Sequence, residues 1–171
     1  MHTMIDLETM SSSPNAAIVS IGAVEFDPNT GKLYREFYQV VDLQSSIDAG
    51  LEVSGSTVMW WLKQSKEARD ALQKDAFRLK DALASFTDWI DANSFVWAHG
   101  SNFDTPIMVS AYAKFGLEVP WKYKNVLDTR TVLWMTGNKM PSTGMGTAHN
   151  ALDDAKNQAV AIMQFLRSPN E

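Results

Sequence analysis

Five residues in three distant segments have the types and spacing expected of a site for divalent cations. Asp6 and Glu8 lie near the start, Asp104 lies beyond the middle, and His149 and Asp154 lie near the end. Four carboxylates in apolar surroundings are costly to ionise together unless cations neutralise them. Oxygen ligands of this kind suit hard cations. The three segments together therefore indicate a metal-dependent site, although one carboxylate alone indicates little.

Asp6 and Glu8 are two residues apart on a predicted strand. Their side chains should leave the same face, roughly 6.6 Å apart along the backbone, with Ile5 and Leu7 pointing the other way. On an interior strand such a pair can share one cation. The alternative is the polar face of an edge strand, because an acidic-x-acidic pattern is common.

The other three residues lie near predicted helix starts, where polar side chains have ordinary structural uses. Asp104 alone would be a typical helix N-cap. His149 and Asp154 are five residues apart, roughly 140° on an ideal helix. Both can serve one site only if His149 lies in the loop or the first turn. The alternative for His149 is a polar surface residue, and Asp153 is one residue short of the required spacing.

The elements that would position these residues alternate between strands and helices. An antiparallel meander is predicted first, followed by strand–helix alternation, which implies a mixed sheet with helices on its faces. The predicted strands are Met1–Glu8, Ala16–Phe26, Leu33–Val41, Phe95–Ala98 and Asn125–Leu127, and the predicted helices are Ser56–Ser65, Arg78–Asp91, Thr105–Phe115 and Ala148–Arg167. Asp128 or Thr129 should cap a further helix. Lys139–Gly146 should be a loop.

The motifs resemble those of the DEDDh exonuclease superfamily, which includes ribonuclease T, oligoribonuclease and DNA-polymerase proofreading domains. The family's segments run Asp-x-Glu-Thr, then Phe or Tyr followed by Asp, then His-x-Ala-x-x-Asp. The stretches Ile5–Met10, Trp60–Trp61 and Trp97–Asp104 look closer to small phage and prophage-type exonucleases. The resemblance extends from Met4 to about Leu166. One departure is Gly100, where many relatives carry Asn; here Asn102 is displaced.

The resemblance implies an α/β, ribonuclease H-like fold and a two-metal 3′–5′ exonuclease that releases 5′-mononucleotides. Asp6, Glu8 and Asp154 would hold the first Mg²⁺ or Mn²⁺, which lowers the pKa of a bound water. Asp6 would bridge to a second cation beside Asp104, which would stabilise the leaving 3′ oxygen. His149 would be the general base, because an imidazole titrates near the working pH.

Residues beside the carboxylates should contact the substrate. Leu7, Met10 and Phe103 lie beside them. In relatives, the residues after the acidic pair contact the last nucleotide, which here implies the Thr9 backbone and an apolar side chain such as Met10. Trp61 is predicted to stack on a terminal base, since aromatic stacking is tolerant of sequence. Adjacent helical positions lie about 100° apart. At least one of Trp60 and Trp61 should therefore belong to the core.

Composition restricts the partners and the compartment. The chain has 171 residues, 45% of them hydrophobic, which fits one domain over residues 1–171. The absence of cysteine excludes thiolate metal sites and fits a reducing compartment. With no predicted signal peptide or membrane span, we expect a cytoplasmic protein without membrane partners. The net charge of −5 argues against a long duplex gripped by a basic face and favours single-stranded DNA or RNA 3′ ends.

Two alternatives use the same residues. One is a phosphodiesterase acting on short oligonucleotides or on capped or dinucleotide ends. The other is a nucleic-acid-binding module without catalysis, although such modules usually lose a metal ligand and all five residues are present here. Several family members complete their substrate groove by dimerisation, so the resemblance also suggests a homodimer. The preference for DNA or RNA would depend on a contact near the sugar 2′ position, and no residue identifies it.

Overall fold

Strands and helices alternate along the chain after an initial three-strand meander. The computed structural model describes residues 1–100, 102–137, 139–140 and 146–167, with only the backbone of residue 167. The strands are β1 (His2–Thr9), β2 (Ile18–Asp27), β3 (Lys32–Val40), β4 (Phe95–Ala98) and β5 (Val126–Asp128). The helices are α1 (Leu43–Asp48), α2 (Gly55–Trp61), α3 (Lys66–Ala71), α4 (Leu79–Trp89), α5 (Asp104–Ala113), α6 (Thr129–Thr136) and α7 (Ala151–Arg167).

The strands form one mixed sheet in the order β3-β2-β1-β4-β5. β1, β2 and β3 pair antiparallel, whereas β4 lies parallel to β1 and β5 lies parallel to β4. The predicted meander and mixed sheet are therefore confirmed. β1 is the central strand, so its side chains are covered from both faces of the sheet.

Each face of the sheet packs against helices, as predicted. On one face, Ile5 and Leu7 share a core with α4 and α5. On the other face, Met4 and Phe26 pack against α7. The alternation of core residues along β1 follows from the two-residue repeat of a strand. In the part of the chain that the structure describes, no helix is both long enough and apolar enough to cross a membrane.

Several predicted boundaries were wrong. The helix predicted over Ser56–Ser65 ends at Trp61, and Ser65 instead caps α3 by accepting the Ala68 N–H. α1 was not predicted, because six residues are too few to show a helical period; Asp42 caps it. α7 begins at Ala151 rather than Ala148. The predicted cap at Asp128 is confirmed. Residues 141–145 of the predicted loop lie outside the described residues.

Candidate active site

β1 presents Asp6 and Glu8 on the face of the sheet that α7 covers. Asp6 Oδ1 accepts a hydrogen bond of 2.7 Å from Nε2 of Gln158 on α7. Ile5 and Leu7 point into the opposite core, as predicted. The edge-strand alternative for the acidic pair is wrong, because β1 lies in the middle of the sheet. Both carboxylates therefore project into the interior between the sheet and α7.

Asp104 is tied to β1 by its side chain. The ladder between β1 and β4 ends at Met4 and Trp97. Beyond it, the Leu7 N–H donates to Asp104 Oδ1 over 3.0 Å. The alternative of a helix N-cap is wrong: Asp104 is the first residue of α5, and the cap position belongs to Phe103. The carboxylate is buried and held next to the acidic pair of the central strand.

A glycine in β2 lets the start of α7 lie directly on the sheet. Gly22 pairs with Asp6, and a Cβ added at Gly22 would lie 2.1 Å from the carbonyl carbon of Ala151. No side chain fits into that distance, so only glycine allows this approach. Sequence reasoning missed this function of Gly22; an isolated glycine in a β-branched strand often marks a close backbone approach.

His149 lies outside α7 and next to its first turn. Its backbone has φ +62°, a left-handed conformation that a residue within a right-handed helix cannot have. Asn150 Oδ1 accepts the N–H groups of Leu152 and Asp153 and so caps the helix. The His149 N–H donates to Asp154 Oδ2 over 3.1 Å. The condition that spacing imposed, His149 before the helix and Asp154 within it, is therefore met.

The side chains from the three segments converge. Ligand atoms of Glu8, His149 and Asp154 all lie within 4.8 Å of one another. Asp6 and Asp104 are close enough to this group to influence its charge. Asp153 points elsewhere: its Oδ2 accepts the N–H of Thr147 over 2.8 Å. The convergent set is that predicted from the sequence, and the adjacent carboxylate is excluded from it.

The carboxylates of this site are poorly stabilised as anions. Burial, assisted by repulsion from Asp154 and Asp104, raises the pKa of Glu8 to about 8. Burial also raises the pKa of Asp104 to about 7, against the opposing Leu7 N–H and Arg130 charge. The pKa of Asp6 is raised well above its ordinary range by burial and by Asp104 and Glu8. Such a cluster needs added positive charge to ionise at neutral pH.

A pocket of about 390 Å³ opens beside Glu8 at the end of β1. Its lining combines apolar and hydroxyl side chains: Leu7, Glu8, Thr9, Ser11, Ser12, Ser56, Thr57, Trp60, Trp61 and Phe103. Trp61 is only 5% exposed, and its indole N–H donates to the Thr9 carbonyl over 2.9 Å. Trp60 is 42% exposed, and its ring meets the His149 imidazole edge to face at 4.8 Å.

The structure therefore separates the residues predicted to touch substrate. Leu7, Thr9, Phe103 and Trp61 line the pocket, but Trp61 is also a core residue and Trp60 supplies the exposed indole. Met10 is not among the lining residues; it lines a separate apolar cavity on the other side of Trp61. The register of β1 shifts between Glu8 and Thr9, which breaks the simple alternation that sequence reasoning assumed beyond Glu8.

Two further residues at the site carried no sequence signal that we used. Gln158 is four residues after Asp154, on the same face of α7, and orients Asp6. Its Oε1 is buried without a hydrogen-bond partner among the described residues. Arg130, at the start of α6, acts electrostatically on Asp104. A search for polar residues one helical turn from each predicted ligand would have found Gln158.

Comparison with known proteins links this geometry to nucleases. The family model described as the Rv2179c-like 3′–5′ exoribonuclease domain matches residues 1–166. An exodeoxyribonuclease of Enterobacteria phage T4 is 28% identical over 96% of this chain and 88% of its own.

Solved structures with the same fold include exonuclease X in complex with 5′ overhanging duplex DNA. It has 18% identity and a TM-score of 0.61, over 97% of this chain and 91% of its own. The nuclease domain of 3′hExo, a DEDDh family member bound to rAMP, has 17% identity and a TM-score of 0.58, over 96% of this chain and 90% of its own. The ribonuclease H-like fold expected from the motifs is confirmed.

Proposed function

We propose that this protein removes 5′-mononucleotides from the 3′ end of single-stranded nucleic acid. The reaction is inferred from the family, because the chain belongs to the DEDDh 3′–5′ exonucleases. The observation that carries this proposal is the convergence of carboxylates beside an open pocket: Glu8 and Asp154 lie together, and Asp104 accepts the N–H next to Glu8 on the same strand. The central strand supplies two of them, the start of α5 supplies the third, and α7 supplies the fourth.

Two divalent cations, Mg²⁺ or Mn²⁺, fit the groups that the site provides. The acidic oxygens of Asp6, Glu8, Asp104 and Asp154 would hold them, since all-oxygen sites favour these metals. The raised pKa values support this fit, because a buried anionic cluster is satisfied by bound cations. When bound, the cations supply activation of a water and neutralisation of charge at the leaving 3′ oxygen.

His149 is proposed as the general base. A ring nitrogen lies within 4.8 Å of carboxylate oxygens of Glu8 and Asp154, so a water held between those carboxylates would be within its reach. The four carboxylates suffice as ligands, so an imidazole nitrogen is left to accept the proton of that water. The left-handed backbone and the edge-to-face contact with Trp60 hold the ring at the mouth of the site.

The pocket beside Glu8 is proposed to hold the terminal nucleotide. The exposed face of Trp60 and the apolar surface of Leu7 and Phe103 suit a base or sugar. Hydroxyl groups of Ser12 and Thr57 on the same wall suit polar groups of the nucleotide. The net charge of −5 favours recognition of an end rather than of a long duplex.

The test is digestion of end-labelled single- and double-stranded DNA and RNA with Mg²⁺, Mn²⁺ or EDTA. We expect a metal-dependent 5′-mononucleotide ladder from single strands. Asp154→Asn should abolish it with the fold intact. The matched control is Asp153→Asn, which keeps an oxygen for the Thr147 N–H and should retain activity. Unchanged digestion in excess EDTA, or by Asp154→Asn, would contradict the proposal.

A further inference from the structure

The cationic side chain of Arg130 lies beside Gly100, the position at which many relatives carry Asn. Gly100 has φ +117°, and a Cβ placed there would lie 3.3 Å from Cζ and Nη1 of Arg130. The guanidinium therefore lies against the Gly100 backbone, in space that a side chain at position 100 would share. Gly100 follows β4, four residues before Asp104, so Arg130 is brought to the border of the acidic cluster.

The charge of Arg130 is available to a ligand. The residue is exposed, and among the described residues its guanidinium takes part in none of the ion pairs or hydrogen bonds. Its charge opposes the rise that burial causes in the pKa of Asp104 and adds to the fall that burial causes in the pKa of His99. A guanidinium suits phosphate oxygens, with which it makes paired hydrogen bonds.

An indole lies one helical turn beyond this guanidinium. Trp134 is four residues after Arg130 on α6, so the two side chains share one face of the helix. Trp134 is 83% exposed, twice the exposed fraction of Trp60. No ring contact involves it in the part of the chain that the structure describes. A tryptophan left this exposed is a typical surface for base stacking.

We propose that Arg130 and Trp134 form an upstream track that binds the strand on the 5′ side of the cleaved linkage. Arg130 binds the phosphate that precedes the penultimate nucleotide, and Trp134 stacks on a base further upstream. The inference rests on the proposed function and extends it from the last nucleotide to the following strand. The substrate class that it selects is a single-stranded oligomer longer than a dinucleotide.

The position of the track agrees with the terminal pocket. The pocket lies at the end of β1 against α2, whereas Arg130 follows β5, on the side of β4 away from β1. In the proposed arrangement, a strand whose last nucleotide occupies the pocket leaves across the carboxylates, toward Gly100 and α6. A cation followed by an aromatic ring along that direction matches the alternation of phosphates and bases in a single strand.

Steady-state kinetics on two substrates test the proposal, with the full chain and Mn²⁺. One is a dinucleotide without a 5′ phosphate, which carries only the cleaved phosphate. The other is a longer homopolymer of the same sugar. We expect Trp134→Ala to raise KM for the longer substrate roughly 5- to 150-fold, the range of base–aromatic stacking, with KM for the dinucleotide unchanged. Arg130→Ala should raise KM for the homopolymer by a larger factor than KM for the dinucleotide.

Salt dependence gives a second measurement for Arg130. Loss of one phosphate contact lowers the slope of log KM against log salt by about 0.7 for a single strand, and Arg130→Lys should restore most of it. Met135→Ala is the matched control: Met135 is 74% exposed and adjacent to Trp134, but lies about 100° around the helix. Met135→Ala should leave KM for both substrates unchanged.

The outcomes separate the track from the reaction itself. Equal losses on both substrates would mean that Arg130 only balances the charge of the carboxylates, and the track would be overturned while the exonuclease stands. An unchanged KM for the homopolymer in Trp134→Ala, or an unchanged salt slope in Arg130→Ala, would likewise overturn it. Failure of the wild-type protein to digest any strand would overturn the proposed function and the track together.

Discussion

Divalent cations should stabilise this protein increasingly as the pH rises, and Glu8 is the residue in which the effect can be worked out. The Glu8 carboxyl has an ordinary pKa of 4.5, raised by folding to about 8. Between these values the folded chain keeps a proton that the unfolded chain has released. The stability that the protonated Glu8 carboxyl contributes is therefore fully present below pH 4.5 and is lost as the pH rises through about 8. In the proposed site, a bound divalent cation would take the place of that proton.

The magnitude follows from the difference in pKa. A tenfold change in a proton's dissociation constant corresponds to about 1.4 kcal/mol, so the Glu8 shift sets an upper bound of about 5 kcal/mol. Because a proton on Asp154 or Asp104 would relieve part of the repulsion on Glu8, we expect about half of this, roughly 2–3 kcal/mol. For a domain of this size, a loss of about 2–3 kcal/mol lowers Tm by roughly 5–10 °C when the pH is raised in EDTA.

The assay is thermal or urea unfolding between about pH 5 and pH 9, with EDTA or with saturating Mg²⁺. In EDTA the free energy of unfolding should fall as the pH rises, and with Mg²⁺ most of that fall should disappear. Glu8→Gln is the matched control, because a neutral amide of the same shape has no proton to lose. The difference between wild type and Glu8→Gln should therefore change with pH. A difference that is constant over this range, together with Mg²⁺ stabilisation that ignores pH, would refute the reasoning.

Three substitutions test individual contacts of the site. Gly22→Ala should displace the start of α7, cost about 1–3 kcal/mol of stability and lower kcat at least roughly tenfold; Gly55→Ala, with no heavy atom within 4 Å of the added Cβ, should do neither. Trp61→Phe removes the donor to the Thr9 carbonyl and should cost about 1 kcal/mol in urea unfolding. Gln158→Leu removes a hydrogen bond that lowers the pKa of Asp6. Because the Asp6 carboxyl would then hold its proton more tightly against a cation, half-maximal activity should require more Mg²⁺. Wild-type values in these assays would contradict the assigned contacts.

The strands and the convergent carboxylates were predictable because each has a local signal. β-Branched residues and turn clusters mark β2 and β3, and the two-residue repeat of Asp6 and Glu8 places both on one face. α4 shows a full apolar stripe and was found with ends that differ by one or two residues. α1 and α3, of six residues each, are too short to repeat a pattern, and their caps are the main signal for them.

The contacts between elements were not predictable, because they depend on pairs that the sequence does not mark as pairs. Gly22 matters because α7 lies on it, and nothing near Gly22 in the chain announces a helix more than a hundred residues later. Gln158 and Arg130 acquire their functions from Asp6 and Gly100 in the same way. Trp60 and Trp61 are identical in type and adjacent, and only packing decides which indole is buried.

The five-residue separation of His149 and Asp154 fits the two different tasks that we propose for these residues. A carboxylate that holds a cation must be rigid, and Asp154 obtains this rigidity from the body of α7. A base must face the same site as this carboxylate. A residue five positions away on the same regular helix would point about 140° away from that site. The left-handed backbone keeps His149 out of the helix, while its own N–H donates to Asp154 Oδ2 and Asn150 caps the helix between them. The same backbone conformation thus orients the proposed base and holds the proposed ligand, so a residue at position 149 with helical φ would displace both.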